Sequence, residues 1–300
     1  MRRPNSAIGV AAISIVEEDD PAPETAPDRA PLPLSAATRT ASEAREMARS
    51  AFREWPRIRK RLRAAKHLAF FLDFDGTLVN LRRRPGDVRM SREARLVLKR
   101  LAAHANVRVV IVSGRNLRNV RGLVAVKGLR YFGVHGGERQ GKPAVLSTRS
   151  RVALEGAKRS ARKQLEAIRG VWVQDKGLSF AIHYRDADSG ATHTAAMALA
   201  SLLDPWGDAL HTLNGSRVWE VLPREIPGKF TAVEDVLGER RSATAVVYIG
   251  NDGTDEVAFA ALPDQITVRV GREPHTRARY FVRTPAEVLR LLARMEKELP

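Results

Sequence analysis

Three hundred residues, 44% of them hydrophobic, supply enough apolar side chain for one large or two medium domains with a true core. There is no cysteine, so disulfides and thiolate metal sites are excluded and a reducing, cytoplasmic setting is expected, while no apolar run approaches the ~20 residues that cross a bilayer. The formal net charge of +17 would attract anions, but no nucleic-acid motif accompanies it and the arginines scatter through ordinary helices, which favours small anionic substrates over nucleic acid.

The chain begins with Arg2-Arg3 before a mildly apolar Ala7–Val16. Glu17-Glu18-Asp19-Asp20 follow with no clean small-residue cleavage site, so export is not expected. Prolines at 21, 23, 27, 31 and 33 among small and acidic residues cannot bury enough apolar area to offset ordering, and 1–41 reads as a disordered tail. A helical segment over 42–65 carries Ala44, Met47, Ala51, Phe52 and Trp55 on its apolar side, with Pro56 as an interruption and a basic cluster behind it that reads as a solvated face.

Next comes Leu68-Ala-Phe-Phe-Leu-Asp73-Phe-Asp75-Gly-Thr77. An apolar strand ends in two carboxylates two residues apart, and the period of 2 sends both the same way off the strand. Like charges so close repel, and a divalent cation with a preference for oxygen ligands, Mg²⁺, would relieve them. Ser91 reads as an N-cap to a helix carrying Ala94, Leu98, Leu101 and Ala105. A second buried strand, 107–112, ends at Ser113-Gly114-Arg115, and a third, 131–134, ends at His135-Gly-Gly-Glu138. Strands alternating with helices predict an α/β fold with a doubly wound, Rossmann-like parallel sheet.

The pattern then changes. A helix over 151–168 precedes strands at 171–174 and 178–184, joined by Asp175-Lys176-Gly177. A helix over 191–203 precedes strands at 210–213 and 217–222, joined by Asn214-Gly215. Hairpins with helices indicate an α/β unit, 142–223, inserted as a cap into a parallel domain made of 66–141 and 224–300. Trp172 and Trp219 read as core residues of that unit. From Pro227 the βα pattern resumes, with a helix over 229–237, strands at 245–249 and 266–270 and a last helix over 285–299.

Four strand-end segments carry chemistry in a fixed order: Asp73-x-Asp75-Gly-Thr77, Ser113-Gly114, Gly228-Lys229 and Gly250-Asn251-Asp252-Gly-Thr-Asp255-Glu. Together they resemble the signatures of haloacid dehalogenase (HAD) superfamily phosphotransferases. Adding His135-Gly-Gly-Glu138, Asp175-Lys176-Gly177, His183-Tyr184-Arg185 and Trp219-Glu220-Val-Leu-Pro, the stretch 66–292 resembles the trehalose-6-phosphate phosphatases. The resemblance implies a Mg²⁺-dependent hydrolase of trehalose biosynthesis, with trehalose 6-phosphate as substrate and a trehalose-phosphate synthase as the partner enzyme. It assigns Asp73 as nucleophile, Asp75 as general acid/base and Lys229 as the cation beside them. Thr77, Ser113, Gly114 and Lys229 would hold phosphate, and Asp73, Asp75, Asn251, Asp252 and Asp255 the metal. Arg115, His135, Glu138, Lys176, His183, Arg185 and Glu220 would face the sugar. Asn251 departs from the usual aspartate, retaining an oxygen ligand but losing a charge. Two alternatives keep the motifs: the same chemistry on a sucrose- or mannosylglycerate-type phosphate, or a weakly catalytic sugar-phosphate-binding module.

Overall fold

The computed structural model describes residues 48–142, 145–226, 228–238 and 244–299. The tail expected over 1–41 and the first six residues of the helical segment expected over 42–65 lie outside the described residues. At the start of the description the chain is extended, not helical: β1 (Arg49–Ser50) pairs in parallel with β12 (Tyr280–Val282) at a sheet edge. Helix α1 (Trp55–Ala64) follows, and Pro56 opens it instead of interrupting it. In the first turn of a helix a missing N–H removes no intrahelical bond, and the fixed φ of proline already suits the helix. Trp55, Ile58 and Leu62 fall on one buried stripe.

The large sheet has the order β1-β12-β11-β10-β2-β3-β4-β5, with β2 (His67–Asp73), β3 (Val107–Val112), β4 (Arg130–Gly133), β5 (Glu138–Arg139), β10 (Thr244–Gly250) and β11 (Ile266–Val270). Every pairing is parallel except β4 with β5. Six of the seven residues of β2 are buried, the continuous apolar run of a strand covered on both faces. Leu68, Phe70 and Leu72 pack with α1, α2 (Arg92–Ala103), α3 (Leu117–Val124) and α8 (Pro285–Glu296). Ala69 and Phe71 pack on the opposite side with α6 (Phe230–Leu237) and α7 (Glu256–Ala261). Ser91 caps α2 as expected, its hydroxyl accepting the Ala94 N–H at 3.1 Å.

A second sheet, ordered β6-β7-β9-β8 and wholly antiparallel, comprises β6 (Trp172–Asp175), β7 (Phe180–His183), β8 (Leu210–Gly215) and β9 (Val218–Pro223). Helices α4 (Thr148–Leu165) and α5 (Ser189–Leu203) share its separate apolar core. The β8–β9 turn lies two residues beyond the expected Asn214-Gly215. Those two residues pair with Trp219 and Val218, and Ser216-Arg217 turn the chain, Arg217 at φ 58°. The displacement is by two residues, so each side chain of β9 keeps its face, with Trp219 and Val221 in the core beneath the sheet. Among the described residues no helix is long and apolar enough to cross a membrane.

Trp219 is fully buried, stacks on Tyr184 at 4.1 Å, and has an indole N–H with no partner. Trp219→Ala should cost about 3–5 kcal/mol in urea unfolding. Trp219→Phe should cost clearly less, because the indole N–H it removes makes no hydrogen bond.

Candidate active site

The carboxyl edge of the large sheet gathers the motif residues, as expected of an open parallel sheet. Asp73 is the last residue of β2 and is 3% exposed. Beyond it the chain turns at Gly76, where φ is +80° and a Cβ would stand 2.3 Å from an atom of the Asn251 carboxamide. That position therefore requires glycine twice over, for its φ and for the space. The Asn251 carboxamide takes the orientation that satisfies its neighbours. Its nitrogen lies 3.0 Å from Asp73 Oδ2, 2.7 Å from the Asp75 carbonyl oxygen and 3.2 Å from Thr77 Oγ1. Thr77 is fully buried behind it.

Lys229 opens α6 and is 2% exposed. Its ammonium donates to Asp73 Oδ1 at 2.9 Å, Asp255 Oδ1 at 3.0 Å and Asp252 Oδ1 at 3.4 Å. Burial opposes its charge, but the three carboxylates outweigh burial and hold its pKa well above the ordinary value. Burial pushes the Asp73 carboxyl well up, against the pull of Lys229 and with the help of Asp255 and Asp252. Asp252 goes the other way despite burial, because Lys229 and the Thr254 hydrogen bonds favour its charged form.

Asp255, expected in a metal shell, is consumed elsewhere. Its Oδ2 accepts the N–H groups of Asn251 and Asp252 at 3.0 and 3.2 Å, and its Oδ1 accepts from Lys229 and the Tyr248 hydroxyl. It shapes the loop after β10 instead of facing a cation. Asp252 is likewise tied to Thr254 and Lys229. Among the described residues no group of three or more His, Asp or Glu side chains forms a ready metal cage. What converges is Asp73 Oδ2, the Asp75 carbonyl and the Asn251 carboxamide. With the carboxamide turned to present its oxygen, three such positions would suit Mg²⁺, which keeps waters and substrate oxygens for the rest of its octahedron.

Ser113 and Gly114 follow β3. A Cβ on Gly114 would lie 2.7 Å from His135 Nε2, so the turn passes too close for any side chain. The Ser113 hydroxyl, buried, accepts the Arg115 N–H at 3.1 Å. Arg115, expected at the sugar, is instead paired with Asp75 through Nε at 2.6 Å and Nη2 at 2.8 Å.

The second sheet supplies the facing wall. Glu220 of β9 is 7% exposed and its carboxylate accepts three hydrogen bonds: Oε1 from Ser179 at 2.7 Å, and Oε2 from Lys176 at 2.6 Å and His135 Nε2 at 3.0 Å. Burial would raise its pKa, but Lys176 and His135 hold it far below the usual carboxylate range. His135 belongs to the large-sheet unit, so this group ties the two units together. His183 stacks on half-buried Trp172 at 3.9 Å and bonds Gln174 at 3.0 Å, which takes Trp172 out of the core role expected of it. Arg185 donates to the Ser216 carbonyl at 2.9 Å. Asp73, Asp75, Arg115, His135, Lys176, His183, Arg185, Glu220 and Lys229 all line one cleft of about 330 Å³, within the range of small-molecule sites. Glu138 does not: its carboxylate takes the Leu117 N–H at the start of α3 and lines a neighbouring groove. Gln174, Asn119 and Arg83 join the cleft without a motif of their own to announce them. Arg83 reaches across to Asp186 at 2.5 Å, linking the β2–α2 loop to the second unit.

The profile of the trehalose-phosphatase family matches residues 71–285, from β2 to the start of α8. The chain belongs to the trehalose-phosphatase family. An uncharacterised glycosyl hydrolase of Mycobacterium tuberculosis is 34% identical over 215 residues, 68% of this chain and 16% of that protein. A trehalose-phosphate phosphatase of Mycolicibacterium paratuberculosis is 35% identical over 208 residues, 66% of this chain and 52% of that one. The chain thus spans about half, or much less, of these relatives. The C-terminal domain of a Candida albicans trehalose-6-phosphate phosphatase superposes with a TM-score of 0.71 at 18% identity, over 85% of this chain and 99% of that one, which shows the shared HAD-type fold.

Burial, with the nearby Lys176 charge, pushes the His183 imidazole down to about 4 from 6.5. Unfolded chains therefore bind more protons here between those values, and stability contributed by neutral His183 is lost as pH falls below 6.5. The slope from this one group is at most about 1.4 kcal/mol per pH unit, less what solvent screens. Urea unfolding at pH 6.5, 5.5 and 4.5 should show a shallower decline for His183→Gln than for the native protein.

Proposed function

We propose that this chain hydrolyses trehalose 6-phosphate through a phosphorylated Asp73. The observation that carries the reading is the Asp73 carboxylate held between Lys229 and Asn251, with Asp75 beside it, at the floor of a cleft walled by the second sheet. An Asp73 oxygen attacks phosphorus while the bond from phosphorus to the sugar oxygen breaks, and Asp75 gives that oxygen a proton. After the sugar leaves, Asp75 takes a proton from water as the water oxygen attacks phosphorus. The Asp73–phosphorus bond then breaks and inorganic phosphate is freed. Lys229 and the Ser113-Gly114 turn would bind the phosphoryl oxygens, Lys229 as a point charge.

Asp73, the Asp75 carbonyl and Asn251, rotated to present its oxygen, would hold Mg²⁺, which when bound offsets charge on the transferring phosphoryl group. The inserted unit, 142–223, serves as the cap, and Lys176, His183, Arg185 and Glu220 give it a polar wall for sugar hydroxyls. The cysteine-free composition agrees with a reducing, cytoplasmic setting, and a trehalose-phosphate synthase would be the enzyme that supplies this substrate.

Phosphate release from trehalose 6-phosphate, sucrose 6-phosphate, a phosphorylated mannosylglycerate and 4-nitrophenyl phosphate tests the reading. Fastest release from the trehalose ester is expected; faster release from another sugar phosphate would reassign the substrate. Asp73→Asn should lose turnover on all four while keeping its fold, because an amide cannot accept the phosphoryl group; retained activity would remove the nucleophile.

Asn251→Asp replaces a neutral hydrogen-bond donor with a charge beside Asp73. Melting without metal should fall through repulsion, the Mg²⁺-induced upward shift should grow, and less Mg²⁺ should be needed for half-maximal activity. Unchanged melting in both conditions would place Asn251 outside the metal shell.

A further inference from the structure

We propose that Arg115 is a positioning residue for Asp75, holding the proton-transfer carboxylate in place and binding neither phosphate nor sugar. The inference rests on the role of Asp75 proposed above. The Arg115 side chain is 10% exposed. Nε lies 2.6 Å from Asp75 Oδ2, and Nη2 lies 2.8 Å from Asp75 Oδ1. Nη1 is 2.9 Å from both the Pro85 carbonyl and Asn119 Oδ1. A guanidinium has five N–H donors, and four are committed within the protein. Phe74 lies against the guanidinium at 5.7 Å, and the Arg115 backbone N–H is fixed on Ser113. The β2–α2 loop, the turn after β3 and helix α3 thus grip one side chain, which leaves little of it to offer a ligand.

Asp75 is in the opposite condition. It stands two residues beyond the end of β2, where the ladder has stopped and one isolated bridge to Val79 remains. Among the described residues no other group donates to its carboxylate. Its two side-chain torsions would be free without the guanidinium. Fork-to-fork pairing fixes both the position and the plane of a carboxylate, and leaves each oxygen a lone pair directed away from the arginine. The proposed reaction needs those atoms in one place twice, once to give a proton to the sugar oxygen and once to take one from water. Misplacement by an ångström is enough to cost such steps on the order of 10²-fold. Lysine offers a point charge without the planar fork, so it would restore only part of the effect.

The leaving group separates positioning from binding. A sugar oxygen leaves poorly without a proton, whereas 4-nitrophenolate leaves unaided; both substrates need Asp75 for hydrolysis of the phosphoenzyme. For Arg115→Met, kcat on trehalose 6-phosphate should fall on the order of 10²-fold with KM little changed. Rapid mixing with 4-nitrophenyl phosphate should release about one equivalent of nitrophenolate per site in a burst, followed by turnover slowed by a similar factor. Arg115→Lys should fall between. Asn119→Ala, which removes one support of the guanidinium, should show the same pattern more weakly, and it carries the test if Arg115→Met does not fold.

A raised KM with kcat retained would make Arg115 a ligand for phosphate or sugar and overturn the proposal. So would equal losses on both substrates without a burst. If the native protein forms no phosphoenzyme with either substrate, the reading of Asp73 and Asp75 itself has failed, and this inference falls with it. Failure of the clamp alone leaves the native phosphoenzyme intact.

Discussion

A buried ammonium group that cannot stay in the fold unpaired is the constraint on which this site depends. Lys229 is almost wholly removed from solvent, and an isolated charge there would cost several kcal/mol. Three aspartates from two segments meet it: Asp73 from the end of β2, and Asp252 and Asp255 from the loop after β10. Satisfying one cation therefore brings the first and last chemical motifs of the chain to the same few ångströms. The three carboxylates are not equivalent. Asp255 also anchors its own loop through two backbone N–H groups, Asp252 is tied to Thr254, and Asp73 alone of the three presents its second oxygen to the Asn251 carboxamide.

Asn251 meets the same electrostatic demand in another way. Asp73 Oδ2, the Asp75 carbonyl and Thr77 Oγ1 converge on one point, and the carboxamide nitrogen fills it as a donor. An aspartate there could not donate, and would confront Asp73 with a like charge. The asparagine thus satisfies all three oxygens with one neutral group, and Gly76 leaves the room for its carboxamide.

On the far wall a second buried charge plays a comparable part. Glu220 on β9 is satisfied by Ser179 and Lys176 from its own unit and by His135 from the large-sheet unit. A carboxylate so placed makes the contact between the two units specific, since separating them would strip one of its partners. Val134, Leu222 and Ile226 form a small apolar cluster beside this link, and Val134 and His135 both take positive φ to reach it.

Much of this was legible in one dimension. Period-2 spacing put Asp73 and Asp75 on the same side of a strand end, continuous apolar runs announced a parallel sheet, and hairpin signals marked the antiparallel unit between Ser113 and Lys229. These are local properties, decided by backbone geometry and by the side chains a few residues away. What tertiary structure decided is which polar groups meet. Arg115 is 40 residues from Asp75 and could as well have faced a sugar; burial of its guanidinium beside Phe74 turned it to the carboxylate. Glu138 went to the N-terminus of α3 and Asp255 to its own loop, because unpaired N–H groups and a buried lysine took those carboxylates. In the β8–β9 turn and in the strand at Arg49–Ser50, backbone pairing with a neighbouring strand overrode the local preference of Asn-Gly and of an apparent helical stripe. Sequence by itself determined the elements and the chemical inventory. The pairing of charges was set by three-dimensional burial, because the cost of an unsatisfied charge depends on everything that surrounds it and not on its neighbours in the chain.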